Sequence, residues 1–219
     1  MKRLILLMIT CYCLLPGHAN TDIASDSLLQ VLQTLPHDTT RLSTLNDIIK
    51  IEQNNYKCIQ YSDTLMQEAL KLKNDKYASL AAYYHLLYYY NRSEQDSVAK
   101  WIVRMEPYVQ RSGLWDYFFD AQRFQIDLYT FTEQYELAIS EANKMKQKAL
   151  NTNSNRGTVA AYQCLSNAYI GSQRWDEGLK ALEEAYRLLP KKGNAVVHIS
   201  VLSQLISVTK EMKDNNRQL

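Results

Sequence analysis

Nucleophiles, acid–base groups and metal ligands act only when spacing brings them together, and here the spacing does not. His37, His85 and His198 are dispersed, with no second ligand three or four residues away, so no helical zinc pair is expected. His85 sits in a Tyr- and Leu-rich stretch, where a satisfied structural histidine is expected. Gly113, Gly157, Gly171, Gly178 and Gly193 are isolated and assemble no Gly-rich turn followed by Lys and Ser or Thr, so no phosphate cradle forms. Gly171 and Gly193 read as helix ends. No stretch resembles a nucleophile elbow. The sequence therefore predicts no enzyme, no cofactor and no metal. One feature exceeds what a scaffold needs: the aromatic run Tyr83-Tyr84, Tyr88-Tyr89-Tyr90.

The elements around these residues follow from periodicity. Residues 1–19 are set apart as a secretory signal: Lys2 and Arg3 precede an apolar run from Leu4 to Leu15, and Pro16-Gly17-His18-Ala19 supplies the small residues of a cleavage site after Ala19. The run is too short to span a bilayer comfortably. Lys2 and Arg3 are the only charged residues there, so removing them leaves 23 basic residues, two fewer than the 25 of the whole chain, against 23 acidic ones. A neutral mature chain leaves no basic groove for nucleic acid, and Lys191-Lys192 reads as helix C-terminal charge. Cys58 and Cys164 also remain, far apart and each in an apolar helical stretch, where free core thiols are expected over a disulfide.

Beyond the signal, helix-period patterns alternate with short polar breaks, and the chain has only 6 Gly and 4 Pro, too few for the turns of a β-sandwich. The expected fold is all-α: a leading helix over 20–37, then hairpins over about 38–74, 76–112, 114–151 and 156–190, and a half-hairpin over 194–219. Inward small residues at Cys58, Ala99, Ala138 and Gly178 suggest a repeat of about 40 residues. Trp101 and Trp115 are expected as core anchors.

The unit from Val159 to Pro190 is the most specific. Tyr162, Leu165, Ser166 and Tyr169 share one helix face, and Gly178, Leu182 and Ala185 face inward from the next, which Pro190 ends. This order resembles the tetratricopeptide repeat, with Tyr for its usual Trp, Ser166 for Gly and Gly178 for Ala. Looser copies contain Tyr129, Tyr135, Ala138 and Ala142, then Tyr83, Leu86, Leu87, Tyr90, Ala99 and Val103, then Leu42, Leu45, Asn46, Ile49, Cys58 and Leu65. The family period is 34, and the excess is ascribed to longer second helices and loops such as Asn151 to Gly157. In the last helix, Val197, Val201, Leu202, Leu205 and Ile206 are expected to be apolar positions of one face.

The resemblance implies a right-handed α-solenoid that binds a protein or peptide without catalysis. Its concave face would be lined by Asp47, Lys50, Tyr84, Tyr88, Asn91, Arg92, Arg123, Asp127, Gln163 and Asn167, with Tyr83 and Tyr90 in core positions. The layout is also similar to Bacteroidetes-like proteins in which a signal and such repeats form the periplasmic sensory region of a kinase or regulator. This implies a partner in the cell envelope, with a membrane helix and a signalling domain after Leu219. The alternatives are a free-standing periplasmic assembly factor and a helical domain that binds a small carbohydrate or lipid.

Overall fold

A computed structural model describes the backbone of residues 18–52, 55–190 and 195–216, and within these the side chains from Ser25 to Lys213. The expected signal, residues 1–19, lies almost wholly outside the described residues. Among the described residues the chain is all-α: α1 His18–Thr34, α2 Thr39–Ile51, α3 Lys57–Lys71, α4 Asp75–Tyr90, α5 Gln95–Ser112, α6 Trp115–Phe131, α7 Tyr135–Asn151, α8 Asn155–Gly171, α9 Trp175–Arg187 and α10 Ala195–Asn216. None of these helices is long and apolar enough to cross a membrane.

The helices are cut to length by a repeated turn. Lys73, Ser93, Gly113, Glu133, Asn153 and Gln173 all have positive φ, between 50° and 74°, and they recur every 20 residues. At five of them the next residue closes the helix: the amides of Asn74, Glu94, Gln134, Ser154 and Arg174 donate to the carbonyls of Ala69, Tyr89, Tyr129, Ala149 and Tyr169 at 2.8–3.1 Å. These are Schellman-type ends, in which a left-handed residue turns the chain back so that a carbonyl of the last helical turn keeps a partner. Gly113 closes α5 with a single bond, its amide donating to Val109 O at 2.8 Å. The following helix starts at once, capped by side chains at two of these points. Asn74 Oδ1 accepts from Tyr77 N at 3.3 Å, and Ser154 Oγ from Gly157 N at 3.0 Å.

This regularity corrects three expectations. The stretch Asn151 to Gly157 is no long loop, because only residues 152–154 lie between α7 and α8. The period of 40 comes instead from long helices on both sides of turns of two to four residues between α3 and α9. Ala99 and Val103 do not face inward. Val98 and Ile102 are buried in their place, and Val103 is 71% exposed. With Val98 substituted for Ala99, the inward residues Cys58, Val98, Ala138 and Gly178 recur at 40 throughout.

Packing follows the same repeat. Each helix packs on the next, and the first helices of successive hairpins also pack on one another: α2 on α4, α4 on α6, and α6 on α8. Close approach needs small residues. A Cβ at Gly178 would lie 2.7 Å from Ile170 Cγ1 and 3.3 Å from Ser166 O, so the expected contact between the Ser166 and Gly178 positions is present. A central core runs from Ala82 and Leu86 through Phe118, Phe119 and Met145 to Ala181, and a second core lies under α1–α4. A third, of Val159, Ala185 and Val201, ties down α10. Only part of the expected α10 face joins it: Val201 is buried, while Leu202 is 41% and Ile206 67% exposed.

Candidate functional site

The aromatic run on α4 is mainly packing. Tyr83 meets Tyr117 edge-on at 5.0 Å, and Tyr90 lies against Phe124 at 4.5 Å, so these rings join α4 to α6. Tyr84 does not line an open face. It is buried, and its hydroxyl donates to Asn46 Oδ1 at 3.1 Å, so the groove assignment for Tyr84 is corrected. Tyr83, expected in the core, is only half-buried. The helix is rotated about one residue from the expected phase, because α4 packs against α3, α5 and α6 at once. Burial pushes the Tyr83 hydroxyl up to about 12. His85 is buried and stacked on Trp101 with ring centroids 4.0 Å apart, and its Nε2 lies 3.1 Å from Asp63 Oδ1 without hydrogen-bond alignment. Burial lowers its pKa, so the ring acts as a neutral packing group.

The ten expected groove residues separate into groups. Asp47 and Lys50 form an exposed ion pair at 2.9 Å on α2. At the end of α4 the Arg92 guanidinium lies 3.4 Å over the Tyr88 ring, and its Nη1 donates to Tyr88 O at 3.1 Å, while Asn91 is the exposed C-cap. Arg123, Asp127, Gln163 and Asn167 come together around one cleft of about 260 Å³ between α6, α8 and α10. Asp120, Arg156, Ser200 and Gln204 also line it. Asp120 was within reach of sequence reasoning, since it lies two helical turns before Asp127 on the same face of α6. Arg156 stands one 40-residue repeat after Asp116, whose carboxylate lies 3.8 Å from it. Gln204 carried no such signal, because its orientation depends on how α10 docks.

The cleft has an amide side and a charged side. On the amide side, Gln163 Nε2 donates to Gln204 Oε1 at 2.8 Å and to Ser200 Oγ at 3.1 Å, and Gln204 Nε2 donates to Asn167 Oδ1 at 3.2 Å. This uses the Gln163 donor and the Asn167 acceptor. Among the described residues, Gln163 Oε1 and Asn167 Nδ2 keep no partner, one acceptor and one donor a single helical turn apart.

The charged side holds two pairs of different quality. Arg156 Nη2 donates to Asp120 Oδ2 at 2.8 Å, a made charge-assisted bond. Arg123 stands 3.7 Å from Asp127 and 4.0 Å from Asp120, beyond hydrogen-bond reach of either. Burial holds Asp127 up to about 6, and the Arg123 charge only partly offsets it. Burial likewise raises Asp120 against the opposing pull of Arg156 and Arg123. Cys164 lies beneath, a buried free thiol pushed far up by desolvation, and Cys58 is likewise a buried free thiol. No group of three or more potential metal ligands occurs among the described residues.

No family model, curated protein or solved structure matches this chain.

Proposed function

We propose that the chain is a non-catalytic, tetratricopeptide-like scaffold whose hairpins stack in a right-handed solenoid and whose first helices hold an extended peptide. The observation that supports this reading best is the unpaired edge of Gln163 Oε1 and Asn167 Nδ2 in the cleft of α6, α8 and α10. A peptide group offers one N–H and one C=O, the complement of that edge. The neutral balance of Asp120 and Asp127 with Arg123 and Arg156 favours a partner of mixed charge over nucleic acid. The reading includes export to the periplasm, as the sensory part of a longer signalling protein, and this rests on the sequence resemblance alone.

A displayed library of random peptides, selected on the purified chain, tests the binding reading. Selected peptides should bind with low-micromolar affinity, and Gln163→Ala with Asn167→Ala should weaken them about tenfold, the equivalent of two lost hydrogen bonds. Peptides that bind the double variant as well as the parent would remove the cleft from the proposal.

A further inference from the structure

The two charge pairs in the cleft invite opposite readings. Arg156 and Asp120 have made a charge-assisted hydrogen bond with each other at 2.8 Å. Arg123 and Asp127 have not: their closest atoms are 3.7 Å apart, and neither makes a hydrogen bond among the described residues. The Arg123 side chain is 38% exposed and Asp127 19%, so both reach the cleft while standing largely out of water. A half-desolvated guanidinium keeps five directional donors, and a half-desolvated carboxylate keeps its acceptor lone pairs.

We infer that the Arg123–Asp127 side of this cleft is a site for a free α-amino acid with a short apolar side chain, its carboxylate on Arg123 and its ammonium on Asp127. The ligand would complete a closed ring of alternating charge: guanidinium, ligand carboxylate, ligand ammonium, Asp127, and back to Arg123. Each member then has an opposite neighbour on both sides, and each desolvated group gains the charge-assisted bonds it lacks. A purely anionic ligand would face Asp120 and Asp127, and a purely cationic one would face Arg123 and Arg156. Val159, Ala160, Val196 and Val197 line the same cleft and supply its apolar surface. At about 260 Å³ the cleft falls just below the roughly 300–1,000 Å³ typical of drug-sized ligands, which suits a single amino acid.

The inference rests on the cleft being a ligand site, though not on its ligand being a peptide. The test is calorimetric titration of the purified chain with L-valine, and with its two halves, isovalerate and isobutylamine. L-valine should bind, with each half at least about tenfold weaker because it breaks the ring. Asp127→Asn and Arg123→Gln should each weaken L-valine by about tenfold or more. Asp127→Asn keeps the shape and removes a buried charge, so it should melt no lower than the parent and loss of binding is not loss of fold. Halves that bind as well as L-valine, or variants that keep full affinity, would overturn the assignment. So would the absence of any NMR shift of cleft residues at about 10 mM L-valine. Selected peptides that still bind while L-valine does not would overturn this inference alone. The reverse result would overturn the peptide reading alone.

Discussion

Asp127 shows how a single side chain couples site and stability. Its folded pKa is about 6, above the ordinary 3.8, so the folded chain keeps this proton to higher pH than the unfolded chain does. The contribution to stability is therefore fully present below about pH 4 and is lost as pH rises through about 6. Arg123 faces the carboxylate and opposes the shift, while Tyr90 and Cys164 face it as groups pushed upward by burial, neutral across this window. Asp120, raised in the same direction, adds to the slope. Near neutrality the buried charge of Asp127 costs on the order of 2–3 kcal/mol. Asp127→Asn is expected to raise the free energy of unfolding at pH 7 by about 2 kcal/mol and to flatten its fall between pH 4 and 6, measured by urea denaturation across pH. A stabilising Asp127→Asn would fit a binding role, in which stability is given up for an accessible charge.

At the scale of elements, the turn is the repeating device. Five of the six left-handed positions carry Lys, Ser, Glu, Asn or Gln, and all of these but Asn are strained there by roughly 1 kcal/mol. Glu133→Gly is expected to raise stability by up to about 1 kcal/mol in thermal or chemical melts. Gly113→Ala should lower it by about the same amount, although nothing lies within 4 Å of the added Cβ. The two results together would separate backbone strain from packing. Gly178→Ala acts by the other route: its Cβ would meet Ile170 at 2.7 Å, and overpacking of this kind costs about 1–3 kcal/mol. The 20-residue beat of these turns was not legible in the residue types, because only Gly113 and Asn153 are types that favour a left-handed turn, and the other four positions rely on the Schellman bonds to hold it. The phase error on α5 has a related cause. Ala99 looks like a small inward residue by type, but the turn at Ser93 starts the helix so that Val98 faces the core.

Across the whole molecule, stability is uneven. The central core spans α4 to α9, whereas α10 is tied down by the small cluster around Val159, Ala185 and Val201. Hydrogen exchange should therefore show strong protection through α5 to α8, and α10 should exchange first among the long helices. Uniform protection across α8 and α10 would contradict this ordering. Leu182, fully buried on α9, is a sharper probe: Leu182→Ala should cost about 2–5 kcal/mol. The all-α class and the succession of helices among the described residues were legible in the sequence, because an apolar stripe of helical period is a local property of the chain. So were the core residues of the clearest unit, Leu165, Ser166, Gly178 and Leu182, all buried as expected. The cleft was legible in part. Arg123, Asp127, Gln163 and Asn167 were named from the sequence and meet around one cleft, but Tyr84 is buried, and the repeat pattern does not single out Asp120, Arg156, Ser200 or Gln204. Sequence alone determined which residues are apolar, that they recur with helical period and which polar residues share a helix face, since these depend on neighbours within a few positions. Only the tertiary structure decided the rotation of each helix, and with it which ring is buried, which ion pair is made at 2.8 Å and which is held apart at 3.7 Å. Those outcomes depend on contacts between residues a whole repeat apart, and no local pattern encodes them.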